Sequence, residues 1–229
     1  MSNTRNRFDH INHRIKQAFK NSGRPLTEPV TLLAVSKRHS MDKIEALYQL
    51  NQRDFGESYV QEAVEKIHKS SHPDIVWHFI GPIQSNKTKE IAQYFQWVHS
   101  VDRVKIARRL SAQYSGQAAL NICLQINISE ESQKSGFAIS DIFTAMDEII
   151  QLPHLAIRGL MAIPMPSDDF TQQKAAFRQL RELMLQLNQQ FDLKMDTLSM
   201  GMSGDLEAAI AEGATIVRIG TALFGPREY

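Results

Sequence analysis

The sequence of 229 residues is 42% hydrophobic and 22% charged, which suits one ordinary globular domain, or at most two small ones, and excludes bulk disorder. Its 26 Lys+Arg nearly cancel its 25 Asp+Glu, leaving a formal charge of +1, so no net field draws the chain to nucleic acid or an anionic membrane, and a charged ligand must be held locally. Cys123 is the only cysteine, which excludes an internal disulfide framework and a multi-thiolate zinc site and fits a reducing cytosol.

Met1 to His13 is polar and lacks a signal-peptide core, and no run approaches the roughly 18 apolar residues of a membrane span. A cytoplasmic, soluble protein is expected. Phe8, Ile11, Ile15, Ala18 and Phe19 then fall at helical spacing before Gly23 and Pro25, predicting an amphipathic helix that acts as a lid or brace. Val30 to Val35 is too short and apolar for a helix, and Met41 to Leu50 has helical period; the pattern is strand, loop, helix.

That alternation repeats. Strands are predicted at Arg53–Gly56, Ile75–Ile80, Trp97–Val101, Ala119–Ile128, Leu155–Leu160, Thr197–Met200 and Thr215–Ile219. The intervening helices are Tyr59–His68, Asn86–Phe95, Val104–Gln113, Ile139–Ile150, Thr171–Phe191 and Leu206–Ala211, and the last strand leads into Thr221–Phe224. Eight strand-helix units with nearly continuous apolar strands predict an α/β fold, a single-domain (β/α)8 TIM barrel with an extra N-terminal helix, over residues 1–229. Neither a G-x-G-x-x-G after the first strand nor a G-x-x-x-x-G-K-[ST] is present, which argues against an open doubly wound sheet.

In such a barrel the chemistry gathers where the strands end. After the seventh strand, Gly201 and Gly204 bracket Ser203 before a helix, so that Ser203 is expected as an N-cap. Gly220 and Thr221 follow the eighth strand in the same way. Small residues and outward N–H groups there suit a phosphate without a cationic patch, although the same residues serve a plain helix cap. Lys37 follows the first strand directly. Desolvation at the barrel mouth favours the neutral amine that attacks an aldehyde to form a Schiff base, against the plainer reading of a solvated lysine paired with Glu57. Arg218 interrupts the apolar Ile216–Ile219 and must find an acceptor: the ring nitrogen of a bound pyridine, or an interior salt bridge to Glu57 or Asp205. A phosphate cradle beside an imine-forming lysine is the minimal kit for pyridoxal 5′-phosphate (PLP).

The stretches Leu33–Lys37, Phe55–Glu62, Trp77–Lys87, Leu198–Asp205 and Val217–Gly225 resemble the pyridoxal phosphate homeostasis protein family. Its members are single-domain barrels similar to the N-terminal domain of alanine racemase, of PLP fold type III. The resemblance spans nearly the whole chain. It implies a covalent PLP aldimine on Lys37, phosphate contacts from Ser203, Gly220 and Thr221, and Arg218 facing the pyridine nitrogen. One departure is visible: the family usually reads Glu-Asn-Tyr where this chain has Glu57-Ser58-Tyr59, so a contact made by that asparagine is shortened here.

The expected function is intracellular PLP homeostasis, meaning storage, buffering or delivery of the cofactor, without robust catalysis and without catalytic residues. Two arguments support it: the sequence reaches Tyr229 without the second domain that supplies a tyrosine in the related racemases, and an arginine at the ring nitrogen opposes the pyridinium electron sink. The alternatives are a weak amino-acid racemase or decarboxylase using Tyr59 or His78 as base, and a barrel that binds another phosphorylated metabolite. Expected partners are PLP and, transiently, PLP-dependent apoenzymes, with no nucleic acid, no membrane and a monomeric state.

Lesser signals are weighed the same way. His68 and His72 have metal-compatible spacing but no evident third ligand, and no metal is assigned. Arg103, Lys105, Arg108 and Arg109 alternate with apolar residues as an ordinary solvated helix face. Met161, Met165, Met195, Met200 and Met202 are read as packing near the mouth. Lys134 is a candidate contact for an incoming phosphate.

Overall fold

A computed structural model describes residues 2–25, 29–129, 131, 133 and 135–226. In chain order the elements are α1 (Ser2–Ser22), β1 (Thr31–Val35), α2 (Met41–Tyr48), β2 (Asp54–Glu57), α3 (Val60–Lys69), β3 (Val76–Phe79), α4 (Thr88–Tyr94), β4 (Trp97–Val101), α5 (Val104–Gln113) and β5 (Leu120–Gln125). They continue as α6 (Ile139–Ile149), β6 (Leu155–Met161), α7 (Phe170–Phe191), β7 (Thr197–Ser199), α8 (Leu206–Ala211), β8 (Ile216–Ile219) and α9 (Thr221–Phe224). The eight strands close into one parallel barrel in sequence order, with β8 returning to β1. The expected TIM-barrel architecture is therefore what the chain adopts.

Each strand is buried on both sides, which is why its sequence runs apolar instead of alternating. The two sides nevertheless differ. Leu32 and Ala34 of β1, Trp77 and Phe79 of β3, and Val217 and Ile219 of β8 join the core between sheet and helices. Leu33 is equally buried yet lies outside that core, because it fills the lumen, and His78 and Arg218, each next to helix-facing residues along its strand, share that side. The contrast follows from the period of two along a strand.

Three local differences from the predicted elements have physical causes. The strand predicted at Ala119–Ile128 stops at Gln125; beyond it, Ile126 N–H still donates to the Met161 carbonyl of β6 at 2.8 Å, but Ile126 also bridges to Phe137, and Asn127 N–H donates to the Phe137 carbonyl at 3.0 Å. A returning loop replaces the regular ladder at that apolar end. The helix predicted at Asn86–Phe95 begins with a tighter turn over Ser85–Lys87, where the Thr88 hydroxyl donates to the Ser85 carbonyl at 3.0 Å. Helix α1 is a brace and not a lid: Ile11, Ile15 and Ala18 are buried against the barrel's outer helices, and α1 packs on α8, α9 and α2.

Candidate functional site

The end of β1 is fixed from outside the barrel. Ser36 N–H donates to the Gly56 carbonyl at 3.0 Å, and its hydroxyl donates to Glu57 Oε1 at 2.6 Å. Lys66 of α3, buried, donates from Nζ to the Ser36 carbonyl at 2.8 Å, to Glu57 Oε1 at 2.7 Å and to Glu62 Oε1 at 2.6 Å. Glu62 also accepts from the Arg38 N–H, and Arg38 takes a left-handed φ of 61°. Burial raises the Glu57 carboxyl above its ordinary value, and the Lys66 ammonium opposes that shift.

Between these anchored neighbours stands Lys37. It is half-buried and forms no hydrogen bond or ion pair with any described residue. The pairing with Glu57 considered from the sequence does not occur. Glu57 has the helix-facing parity of Phe55 and is already engaged by Lys66, whereas Lys37 continues the lumen parity of Leu33 and Val35.

Strand β8 lies between β1 and β7, and its register sets Arg218 opposite Leu33 and Ile219 opposite Ala34. The loops after β7 and β8 thus open beside the end of β1. Gly201 holds φ at 95°, and a Cβ there would stand 2.6 Å from the Ala209 Cβ, so only glycine fits. Met202 N–H then donates to Asp205 Oδ1 at 2.6 Å, and Asp205, not Ser203, is the N-cap of α8. The sequence reading of Ser203 as the cap is corrected: Ser203 lies two residues earlier, in the turn that the Asp205 carboxylate closes. Arg14 of α1 ties this turn to the brace, donating to the Ser203 carbonyl at 3.0 Å while paired with Glu207 at 2.7 Å.

The N–H groups of Ser203, Gly204, Gly220 and Thr221 make no hydrogen bond among the described residues. A Cβ on Gly204 would meet nothing within 4 Å, and one on Gly220 would meet Val35 only at 3.6 Å. Packing does not demand glycine at these two positions. What their missing side chains leave is open backbone.

Arg218 is buried. Nη1 donates to the Ser199 carbonyl at 2.6 Å and to Ser199 Oγ at 3.0 Å, and Nη2 donates to the Ala162 carbonyl at 3.0 Å. Neither Glu57 nor Asp205 is a hydrogen-bond partner, so the salt bridge considered from the sequence is absent among the described residues. Burial lowers the guanidinium to about 10, which leaves it a cation at neutral pH. Three of its five N–H groups are used, and two remain for a ligand.

His78, considered from the sequence as a base, does not stand at the barrel mouth. It sits inside the lumen with both ring nitrogens occupied, by Asp54 Oδ1 at 3.1 Å and by His99 Nε2 at 2.9 Å. Tyr59 is 45% exposed, and its hydroxyl accepts from Arg38 at 3.2 Å. Sequence reasoning missed His99, whose Nδ1 lies 2.7 Å from Ser199 Oγ on the far wall. The available signal was a histidine at lumen parity inside the short strand Trp97–Val101.

The lesser signals resolve into contacts. His68 meets Tyr94 edge-on, while His72 stacks on Tyr48 and bonds to Glu45, so the two histidines face different partners. Arg108 pairs with Glu148, and Arg109 donates to Thr88 Oγ1 at 3.1 Å. Met161 and Met200 are buried packing, whereas Met165 and Met202 are exposed. Met195 is corrected to the opposite end, since it precedes β7. Lys134 lies outside the described residues. Among the described residues no helix is long and apolar enough to cross a membrane.

With this geometry established, comparison with known proteins is informative. The family model described as "Alanine racemase, N-terminal domain" matches residues 7–228. The pyridoxal phosphate homeostasis protein of Pseudomonas aeruginosa is 56% identical over 218 residues, covering 94% of this chain and 92% of its own length. The chain belongs to this family. The pyridoxal phosphate homeostasis protein of Vibrio cholerae is 48% identical, over 100% of this chain and 98% of its own. Among solved structures, PipY of Synechococcus elongatus PCC7942, determined with PLP bound, superposes with a TM-score of 0.81 at 37% identity, covering 93% of this chain and 99% of that one. The Pseudomonas aeruginosa and Vibrio cholerae relatives are named for homeostasis and not for a reaction.

Proposed function

We propose that this protein binds PLP and serves cofactor homeostasis by storing, buffering or handing on the molecule, as one barrel unit working as a monomer in the cytoplasm. The similarity to a PLP-bound homologue at 37% identity over nearly the full length of both chains carries the reading. Its partners are then PLP and, transiently, apoenzymes that require it.

The residues present fit the group. Four unpaired backbone N–H groups beside glycines with open space suit a phosphate, and they do so at the neighbouring ends of β7 and β8. When bound, PLP supplies an aldehyde that condenses reversibly with a primary amine. Lys37 is the amine we assign to it, because its neighbours are locked by Lys66 and Glu62 while it has no partner of its own among the described residues. Ser203, Gly220 and Thr221 are assigned to the phosphate. Arg218 offers its two spare N–H groups to the pyridine nitrogen.

Efficient catalysis is disfavoured by the same site. Arg218 remains charged at neutral pH, and a cation at the ring nitrogen opposes its protonation and so weakens electron withdrawal. The bases considered for a racemase are poorly placed as well: His78 is committed inside the lumen and Tyr59 faces solvent with Arg38.

Borohydride reduction of the protein loaded with PLP, followed by peptide mapping, tests the reading. Label confined to the peptide containing Lys37 supports it; label elsewhere, or none, overturns it. Loss of α-deuterium from amino acids at enzyme-like rates would favour the racemase instead.

A further inference from the structure

The barrel lumen contains a line of polar side chains that the proposed ligand contacts do not use. It begins at Asp54, half-buried at the start of β2, and passes through His78 of β3, His99 of β4 and Ser199 of β7 to Arg218 of β8. The successive distances are 3.1, 2.9, 2.7 and 3.0 Å. β4 and β7 are not neighbours in the sheet, so the contact between His99 and Ser199 crosses the interior.

The hydrogen positions along this line follow from chemistry. Arginine only donates, so Ser199 Oγ accepts from Nη1 and turns its own proton to His99 Nδ1. That nitrogen must hold a lone pair, which puts the His99 proton on Nε2, where it is donated to His78 Nδ1. His78 in turn carries its proton on Nε2 and donates it to the Asp54 carboxylate. Every link then has one donor and one acceptor, with a cation at one end and an anion at the other.

We propose that Asp54, His78, His99 and Ser199 form one directed hydrogen-bond file that balances and orients Arg218, turning its spare N–H groups to the mouth and making these four positioning residues for the pyridine end of the ligand. The ligand named here rests on the function proposed above; the direction of the file does not.

The surroundings agree. Burial lowers both imidazoles, outweighing the hydrogen bond and charge of Asp54 at His78, and at His99 the neighbouring His78 ring and the Arg218 cation add to the effect, so both rings are neutral near pH 7. Trp97 stacks on His78 with centroids 5.5 Å apart, fixing the ring plane. Cys123 faces the Arg218 end, but burial pushes its thiol up to about 12, so it supplies no charge. Asp205 acts on Arg218 only through space from the loop after β7. Polarised chains of this kind strengthen one another in a low-dielectric interior.

The test begins with ring-nitrogen NMR of the full chain without added PLP. Both His78 and His99 are expected as the neutral Nε2–H tautomer at about pH 7.5. An Nδ1–H tautomer or a protonated ring at either position at that pH overturns the proposal. Ser199→Ala is expected to mix the His99 tautomers and weaken PLP retention about tenfold, with recovery in Ser199→Thr. Wild-type tautomers and retention in Ser199→Ala overturn the proposal. Predicted tautomers in a wild-type protein that binds no PLP would support the file and remove the function it was assigned to serve.

Discussion

Lys66 Nζ donates to the Ser36 carbonyl at 2.8 Å, so an ammonium on α3 holds the strand end from which Lys37 departs. The same amine neutralises Glu57, one of whose carboxylate oxygens is buried without a partner. Rigidity at Lys37, the amine proposed for PLP, therefore depends on a buried charge pair on the helix side of the strand.

Breaking that pair is expected to be costly. Lys66→Met leaves Glu57 buried and unpaired, which should lower stability by about 3–5 kcal/mol. Adding Glu57→Gln to Lys66→Met should restore most of it, because neither charge then remains. Denaturant unfolding of the two variants checks the difference, and equal stabilities would contradict the coupling.

Lys37→Ala is expected to abolish the visible absorption of the PLP-loaded protein. Since Lys37 has no partner among the described residues, unfolding should stay within about 0.5 kcal/mol of wild type. An unchanged spectrum would reject the assignment of this amine.

Arg218→Glu should alter the spectrum and weaken PLP retention without producing racemase or transaminase turnover. It should also lower stability by at least about 2 kcal/mol, because the carbonyls of Ser199 and Ala162 lose their donor and a carboxylate takes its place. Retention equal to wild type would reject the role at the ring nitrogen.

Two glycines are expected to separate folding from binding. Gly201→Ala forces a Cβ against Ala209 at positive φ and should destabilise by about 1–3 kcal/mol. Gly220→Ala fits the protein and should chiefly reduce PLP affinity. Unfolding curves and PLP titrations of both variants provide the comparison; an equal loss of stability in the two would deny the distinction.

Acid stability should depend on Glu212. Burial would raise its carboxyl, but hydrogen bonds from Arg178 and Lys174 and the charge of Arg181 outweigh burial and hold it below the ordinary value. Such a group contributes stability that is complete above its unfolded pKa of about 4.3 and is lost as pH falls through the folded value. Glu212→Gln should therefore be about 1–3 kcal/mol less stable than wild type at pH 7, with the gap closing near pH 3 in urea unfolding.

The eight-fold alternation was legible because buried parallel strands leave short apolar runs and amphipathic helices leave a period of 3.6. Lys37 and Arg218 stood out for a related reason: each breaks or follows an apolar strand where a charge has to find a use. The Gly201–Gly204 turn was legible as a loop, but its cap was not, since whether Ser203 or Asp205 closes it depends on one carboxylate reaching the Met202 N–H.

The sequence by itself determined the class of fold and singled out the residues proposed to hold an aldehyde and a phosphate, because spacing and residue chemistry are local properties. Only the tertiary structure decided which charges meet. Glu57 turns outward to Lys66 while Lys37 stays unpaired among the described residues, and Asp54 connects to Arg218 through residues on three other strands. Those pairings arise from closure of the barrel, which brings β4 opposite β7 and sorts every strand residue to one wall or the other.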